Sequence, residues 1–163
     1  DVSTIDASYI NANAIDVSII DVSYINSIII DASTIDVSFI SLRIVLPAAL
    51  RLLADDAKII ALIKPQFEAG KENVSKGGVV RNPKIHRQVL LNVFDWANDV
   101  SLVPIGLTIS PILGPAGNTE FLTLLRRDTS GVYSDVNQDD DAPVVDALVI
   151  DSVLQEAQRL RKS

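Results

Sequence analysis

The chain of 163 residues contains no cysteine and no methionine, and it has a single histidine, His86. Without cysteine it can form neither a disulfide framework nor a thiolate metal site. One histidine does not supply the usual His-rich zinc site either, so we expect no bound metal.

Long apolar runs are also missing. No stretch of about 18 consecutive apolar residues occurs, so we expect no membrane-spanning segment and no membrane partner. The first residues lack the basic region and the continuous apolar stretch of a signal peptide. We therefore expect a cytoplasmic location.

Basic residues are scarce overall, because 14 Lys and Arg stand against 21 Asp and Glu, for a net charge of −7. An acidic chain is not the usual nucleic-acid binder. The charge is, however, unevenly distributed. Residues 1–40 have a net charge of −6, residues 41–127 of +4 and residues 128–163 of −5. The basic middle segment is therefore compatible with a nucleic-acid partner.

Residues 1–40 form eight pentads that begin with Asp or Asn and end with Ile. A period of five matches neither a helix nor a strand. Ile, Val and Tyr favour extended structure, whereas Asp, Asn and Ser favour turns. Short strands with regular bends reconcile the two, and they resemble a pentapeptide-repeat β-solenoid. The alternatives are irregular strands or a tandem expansion that acts only as a spacer. The strong β-propensity also predicts self-association through the repeat.

After residue 40 the pattern changes to alternating helices and strands, which is typical of an α/β sheet. Pro47 predicts a late start or a kink in the first helix. Pro104 predicts an edge position or a bulge for the strand that contains it. The apolar spacing predicts helices over 41–54, from Pro83 or Lys84 to about Val100 and over 144–161, and strands over 57–63, 101–110 and 120–126.

Three further residues have simple interpretations. His86 lies on the second predicted helix, and we expect a surface or capping residue rather than a catalyst. Phe94 and Trp96 follow the apolar stripe of the same helix, so we expect them in the hydrophobic core.

Three segments of the middle region resemble a known family: IDVSFISLRIVLP, ALIKPQFEAGKENVSKGGVVRNP and SPILGPAGNTEFLTLLRR. They are similar to the hemolysin A (TlyA) family of rRNA 2′-O-methyltransferases, which have an FtsJ-type fold. The resemblance covers about residues 35–127, the C-terminal half of that catalytic domain. It implies an α/β fold, with a partial Rossmann-like methyltransferase sheet preceded by the β-rich repeat. The implied organisation is a repeat over 1–35, the methyltransferase segment over 36–127, and an acidic linker with a C-terminal helix over 128–163.

The resemblance also implies a chemistry. The family uses S-adenosylmethionine to methylate a ribose 2′-hydroxyl, and it has a Lys-Asp-Lys-Glu tetrad. Three tetrad members match Asp36, Lys64 and Glu120, whereas the first Lys has no counterpart among the pentads. A Lys can act as the base for the poorly nucleophilic hydroxyl or can orient it, and carboxylates hold the ammonium group.

Two sets of binding residues are predicted beside the catalytic ones. Ligands of open α/β sheets bind at the carboxyl ends of the strands, so Asp36, Val37 and Ser38 are candidates for binding S-adenosylmethionine. Basic side chains in a glycine-rich loop suit a phosphate-bearing strand. The RNA-binding candidates in the loop over 66–82 are Lys71, Lys76 and Arg81.

Two functions follow from this sequence. The first is ribose methylation of rRNA or of a ribosomal subunit with S-adenosylmethionine as the methyl donor. The family's Gly-rich turn after the first strand and its acidic residue after the second have no match here, so we expect weak donor binding and doubtful activity for the chain alone. The second is a non-catalytic remnant or interaction protein in which the repeat is a spacer.

Overall fold

The structure is a computed structural model, and it describes residues 30–128 and 144–160. The predictions for residues 1–29, including the solenoid and self-association, lie outside these ranges, as do most of the predicted linker and the last three residues. Within the described residues the strands are β1 (Ile30–Ile35), β2 (Leu53–Ile63), β3 (Leu102–Ile109) and β4 (Phe121–Arg127). The helices are α1 (Leu42–Leu50), α2 (Pro65–Glu68), α3 (Pro83–Asp99) and α4 (Ala147–Leu160), with a 3₁₀ turn at Lys71–Asn73.

These strands form one mixed sheet in the order β1-β2-β4-β3. β1 pairs parallel with β2, and β4 pairs antiparallel with both of its neighbours. As a consequence, β1, β2 and β3 all end, and β4 begins, at the same edge of the sheet, which we call the carboxyl edge. The prediction of an α/β fold is confirmed.

β1 is formed by residues of the pentad pattern. The pentad Asp31–Ile35 is a continuous strand, and it pairs in register from Ala32–Lys58 to Ile35–Ala61. This described part of the repeat therefore belongs to the sheet by its backbone pairing.

Helix α1 begins at Leu42, so the late start predicted from Pro47 is wrong. The Ser41 side chain caps the helix by accepting a hydrogen bond from the Arg43 amide. The Glu68 carboxylate accepts a second hydrogen bond from the Leu42 amide at 2.8 Å. These two acceptors satisfy amides that an α-helix leaves unpaired at its start, which stabilises a start before the proline.

Helix α1 is also shorter than predicted and β2 is longer, because the chain turns at residues 51–52 and β2 already begins at Leu53. Alternate residues of β2 are buried under the helices, whereas Ile60 on the other face is exposed. A continuous apolar run such as that over 57–63 is typical of a buried parallel strand. Within the described residues only one face of β2 is fully covered, and the strand alternates accordingly.

The prediction for Pro104 is confirmed on both counts. β3 lies at an edge of the sheet within the described residues, and its register to β4 shifts between Pro104 and Gly106. A proline donates no backbone hydrogen bond, and an edge or a bulge tolerates that loss. The Thr123 hydroxyl donates to the Gly106 carbonyl at 2.9 Å and closes the irregular segment.

The helices α1, α3 and α4 pack with the sheet around one hydrophobic core. Phe94 is buried in this core and Trp96 packs against it, as predicted. His86, in contrast, is buried, so the prediction of a surface position is wrong. Its Nε2 lies 2.9 Å from the Val80 carbonyl oxygen, and its ring meets Phe121 edge-on. The ring therefore faces the core at the start of α3.

The C-terminal helix packs on α3, close to its predicted position. The Arg87 guanidinium donates two hydrogen bonds to the Asp151 carboxylate, the shorter at 2.7 Å. The hydrogen bond and the negative charge of Asp151 raise the pKa of Arg87 above its ordinary value. None of the helices that the structure describes has the length and apolarity needed to cross a membrane.

Candidate active site

Three connections meet at the carboxyl edge of the sheet. They are the segment over 36–41 after β1, the segment over 64–82 after β2 and the loop over 110–120 between β3 and β4. Together they contain every site residue predicted from the sequence, namely Asp36, Val37, Ser38, Lys64, Lys71, Lys76, Arg81 and Glu120.

Lys64 and Asp36 form an ion pair at this edge. The Lys64 Nζ donates to the Asp36 Oδ1 at 2.6 Å and to the Ser38 Oγ at 3.0 Å. The Lys64 side chain is only 13% exposed, whereas that of Asp36 is 68% exposed. The aliphatic part of Lys64 is thus covered while its charged end meets an accessible carboxylate. Because an ammonium group has three protons, one remains for a ligand oxygen.

Val37, which separates Asp36 from Ser38, has a different role. It is partly buried and packs against the hydrophobic core. The side chains of Asp36 and Ser38 are exposed. Of the three residues predicted to bind the methyl donor, only these two offer polar side chains to a ligand.

Glu120 is buried at the start of β4, and it reaches the Lys64 segment indirectly. Its Oε1 accepts a hydrogen bond from the Gln66 Nε2 at 2.9 Å, and Gln66 follows Lys64 by two residues. A Cβ atom at Gly114 would lie 2.5 Å from this same Oε1. A side chain at position 114 would therefore have to displace the Glu120 carboxylate. The sequence analysis missed both Gln66 and Gly114.

Two other buried polar atoms lie next to Glu120. The Gln66 Oε1 and the Thr119 Oγ1 have no hydrogen-bond partner in the part of the chain that the structure describes. Buried polar atoms in folded proteins are nearly always paired with a protein group, an ordered water or an ion. In the same described residues no group of His, Asp and Glu has the arrangement of a metal site.

Phe39 is a third feature that the sequence analysis missed. Its backbone has a φ of 64°, and its side chain is 90% exposed. A left-handed backbone is a strained conformation for a bulky aromatic residue. The ring lies 5.0 Å from that of Phe67, centroid to centroid. A flat aromatic side chain is thus held in solvent directly after Ser38, where it can stack on a planar ligand.

Glu68 fixes the end of the same segment. Its Oε2 accepts from the Ser41 hydroxyl at 2.7 Å, and its Oε1 accepts from the Leu42 amide. Lys64, Phe67 and Glu68 therefore each contact a successive part of the segment after β1. Through these contacts the segment KPQFE holds the segment DVSFISL in place.

The three predicted RNA-binding residues are all exposed in the connection between α2 and α3. Lys71 begins the 3₁₀ turn, Lys76 lies in the tight turn over 75–78 that contains Gly77 and Gly78, and Arg81 follows this turn by three residues. Both glycines have positive φ values, of 100° and 78°. No ion pair involves the three basic side chains in the described ranges. They remain available for an anionic ligand.

Comparison with known proteins identifies the family. Residues 4–127 match the profile of the FtsJ-like methyltransferase domain. Over 82 residues, half of this chain, it is 50% identical to YqxC of Bacillus subtilis (strain 168), which is named as an rRNA methyltransferase. Over 94 residues, 58% of this chain, it is 40% identical to TlyA of Mycobacterium tuberculosis (strain ATCC 25618 / H37Rv), a 16S/23S rRNA (cytidine-2′-O)-methyltransferase.

The matched regions are 29% and 35% of those two proteins, so the chain spans about a third of the curated relatives' length. Among solved structures, a protein of Lactococcus lactis described as a hemolysin matches with a TM-score of 0.64 and 40% identity. That match covers 78% of this chain and 56% of the other. The four-stranded sheet with its helices agrees with a Rossmann-like methyltransferase fold, and the chain belongs to the FtsJ-like methyltransferase family.

Proposed function

We propose that this chain is the catalytic segment of an rRNA ribose 2′-O-methyltransferase, and that the transfer takes place at Lys64. The observation that carries this proposal is the ion pair between Lys64 and Asp36, with its 2.6 Å hydrogen bond at the carboxyl edge. Open α/β sheets bind their substrates at this edge. The printed activity of the TlyA relative, on cytidine in 16S and 23S rRNA, supports rRNA as the substrate class.

S-Adenosylmethionine, when bound, supplies an electrophilic methyl group on a positively charged sulfur. The residues that would hold it are Asp36 and Ser38, because an accessible carboxylate and hydroxyl suit a cationic ligand that also has an amino group. Val37 would contribute its backbone, since its side chain packs on the core. These residues fit the donor, although they supply few contacts.

Lys64 orients the ribose hydroxyl in this proposal. Two of its three protons are directed to Asp36 and Ser38, and the third is donated to the hydroxyl oxygen. This contact fixes the nucleophile without removing its proton in advance. Asp36, through its exposed carboxylate, would accept the hydroxyl proton while the hydroxyl oxygen takes the methyl group that a bound donor would supply, so that the sulfur of the donor would become neutral.

The other residues at the carboxyl edge position Lys64 or hold the substrate. Glu120 anchors Gln66 and thereby fixes the segment that contains Lys64. Phe39 offers a stacking surface for the base of the target nucleotide. Lys71, Lys76 and Arg81 bind the phosphates of the same RNA.

The test is methyl transfer by the purified chain from labelled S-adenosylmethionine, at high donor concentration, to deproteinised rRNA. We expect Lys64→Ala to lower the rate by at least about a hundredfold, the usual range for a group that acts on the reacting proton or oxygen. The matched control is Lys58→Ala, which removes an exposed lysine from β2, the strand that directly precedes Lys64, and should leave the rate unchanged.

A rate that survives in Lys64→Ala would contradict the assignment of Lys64. An absence of methyl transfer by the parent chain under these conditions would instead support the non-catalytic alternative. The two outcomes are distinguishable because the first requires an active parent.

A further inference from the structure

The loop between β3 and β4 exposes two neighbouring apolar side chains. Ile112 is 74% exposed and Leu113 is 56% exposed. The backbone on both sides of them is held by hydrogen bonds. The Ser110 hydroxyl donates to the Ile112 carbonyl at 2.8 Å, and the Gly114 amide donates to the Asn118 carbonyl at 2.9 Å. The loop therefore presents an apolar tip on a braced backbone, and such a tip marks an interaction site better than scattered surface apolar residues do.

Asn118 joins this loop to the basic loop. It is buried, its Oδ1 accepts from the Val80 amide at 2.9 Å, and its Nδ2 donates to the Gly78 carbonyl at 2.8 Å. Lys76 lies two residues before Gly78, and Arg81 directly follows Val80. Through one buried amide, the backbone of the loop between β3 and β4 is joined to the backbone of the basic loop at the carboxyl edge.

A surface with both kinds of side chain needs a partner with both kinds of group. A fully paired RNA helix presents phosphates outward but keeps the faces of its bases stacked inside. A single-stranded or opened RNA presents phosphates and free base faces together. Apolar side chains such as Ile and Leu contact bases in this way when they are placed at an opened step.

We propose that Ile112 and Leu113 contact unpaired bases of the RNA substrate, on a surface that Asn118 joins to the phosphate-binding side chains of Lys76 and Arg81. This inference rests on the proposed function, because it takes RNA as the substrate. It adds a preference for unpaired RNA, and it locates the base contact in the loop between β3 and β4.

The experiment measures binding of the full chain to a short fluorescein-labelled single-stranded RNA and to the duplex of the same sequence, by anisotropy at several salt concentrations. The first variant combines Ile112→Ser with Leu113→Ser. We expect it to bind the single strand about tenfold more weakly, with an unchanged salt dependence and unchanged duplex binding. The second variant combines Lys76→Ala with Arg81→Ala. It should weaken binding to both RNAs and flatten the salt dependence, because phosphate contacts release counterions.

The matched control is Leu148→Ser on α4. Leu148 is 77% exposed, like Ile112, but α4 begins beside Pro104, near the start of β3 and away from the carboxyl edge. This variant should bind both RNAs as the parent does. Since all the replaced side chains are exposed, the melting temperature of each variant should match that of the parent, which separates a lost contact from a lost fold.

Two results would overturn the inference. In the first, the Ile112 and Leu113 variant binds the single strand as the parent does, whereas the Lys76 and Arg81 variant binds more weakly. RNA binding would then not depend on the two apolar side chains. The second is an equal loss on single strand and duplex. A parent chain that binds neither RNA would contradict the proposed function as well. The failure of the proposed function and the failure of the base contact therefore give different results.

Discussion

The two ends of the sheet use charged side chains in different ways. At the carboxyl edge, Lys64 pairs with an exposed carboxylate and an exposed hydroxyl. At the opposite end, Arg127 donates to the backbone carbonyls of Leu50 and Leu53 and forms an ion pair with Asp55 at 2.6 Å. Arg127 thereby closes the turn between α1 and β2.

This difference between the partners of Lys64 and those of Arg127 distinguishes a contact open to a ligand from a contact that stabilises the fold. The partners of Lys64 are exposed polar side chains, and a ligand can replace or share them without disturbing the backbone. The partners of Arg127 include two carbonyls that would be left without a donor if it were removed. We infer that the carboxyl edge is arranged for a ligand and the opposite end for the fold. Four single substitutions, two of them at the carboxyl edge, test this difference between the ends of the sheet.

Of these four substitutions, Gly114→Ala should lower the rate of methyl transfer most. The added methyl group would lie 2.5 Å from the Glu120 Oε1, so the carboxylate must move and its hydrogen bond to Gln66 is lost or distorted. We expect a fall of about a hundredfold in methyl transfer, because displacements of about 1 Å at a site have effects of this size. The matched control is Gly106→Ala on β3, whose added methyl group would lie 3.3 Å from the Leu124 Cβ and should leave the rate unchanged. Equal rates for the two variants would count against a role for Glu120.

Arg127→Ala tests the opposite end. It leaves the Leu50 and Leu53 carbonyls without their side-chain donor, which should lower the free energy of unfolding by about 1–3 kcal/mol. Chemical denaturation measures the loss. Arg51→Ala, which removes an exposed arginine from the same turn, is the control and should be close to the parent. If Arg127→Ala were as stable as the parent, the assignment of a stabilising role to Arg127 would be wrong.

Glu68→Gln should have an intermediate effect at the carboxyl edge. The amide keeps only one oxygen to accept from the Ser41 hydroxyl and the Leu42 amide, so the segment that contains Phe39 is held less firmly. We expect kcat to fall several-fold with a smaller change in KM, and the melting temperature to fall slightly. Glu72→Gln, in the exposed 3₁₀ turn, serves as the comparison. A loss of stability with unchanged kcat would show that Glu68 serves only as a helix cap.

Asp151→Asn should have the smallest effect. It weakens the contact between α4 and Arg87, and it removes the charge that raises the Arg87 pKa. Exposed ion pairs contribute little to stability, so we expect only a slight fall in melting temperature and no change in methyl transfer. Asp95→Asn on α3 provides the control. A marked loss of methyl transfer would show that the C-terminal helix acts on the carboxyl edge.

Part of this picture was available from the sequence. The apolar spacing predicted the helix from Pro83, and the proline at position 104 predicted an edge or a bulge, because both signals depend on local chemistry. The family resemblance selected Asp36 and Lys64, which the structure brings within hydrogen-bond distance.

Other features depend on contacts between distant segments. The burial of His86 depends on Phe121, and the early start of α1 depends on Glu68, which lies 26 residues beyond Leu42. The strained backbone of Phe39 is not readable from a residue type that seldom has a positive φ. Tertiary contacts of this kind leave no periodic signal in one sequence.

The most direct test of the role of Lys64 compares Lys64→Ala with Arg127→Ala in one methylation assay. Both variants and the parent chain are incubated with S-adenosylmethionine and rRNA well below their melting temperatures, and the digested nucleosides are analysed for a 2′-O-methylated nucleoside. We expect this product from the parent and from Arg127→Ala, and none above background from Lys64→Ala. Product from Lys64→Ala at the parent's rate, or methylation only at positions other than the ribose 2′-oxygen, would contradict this expectation.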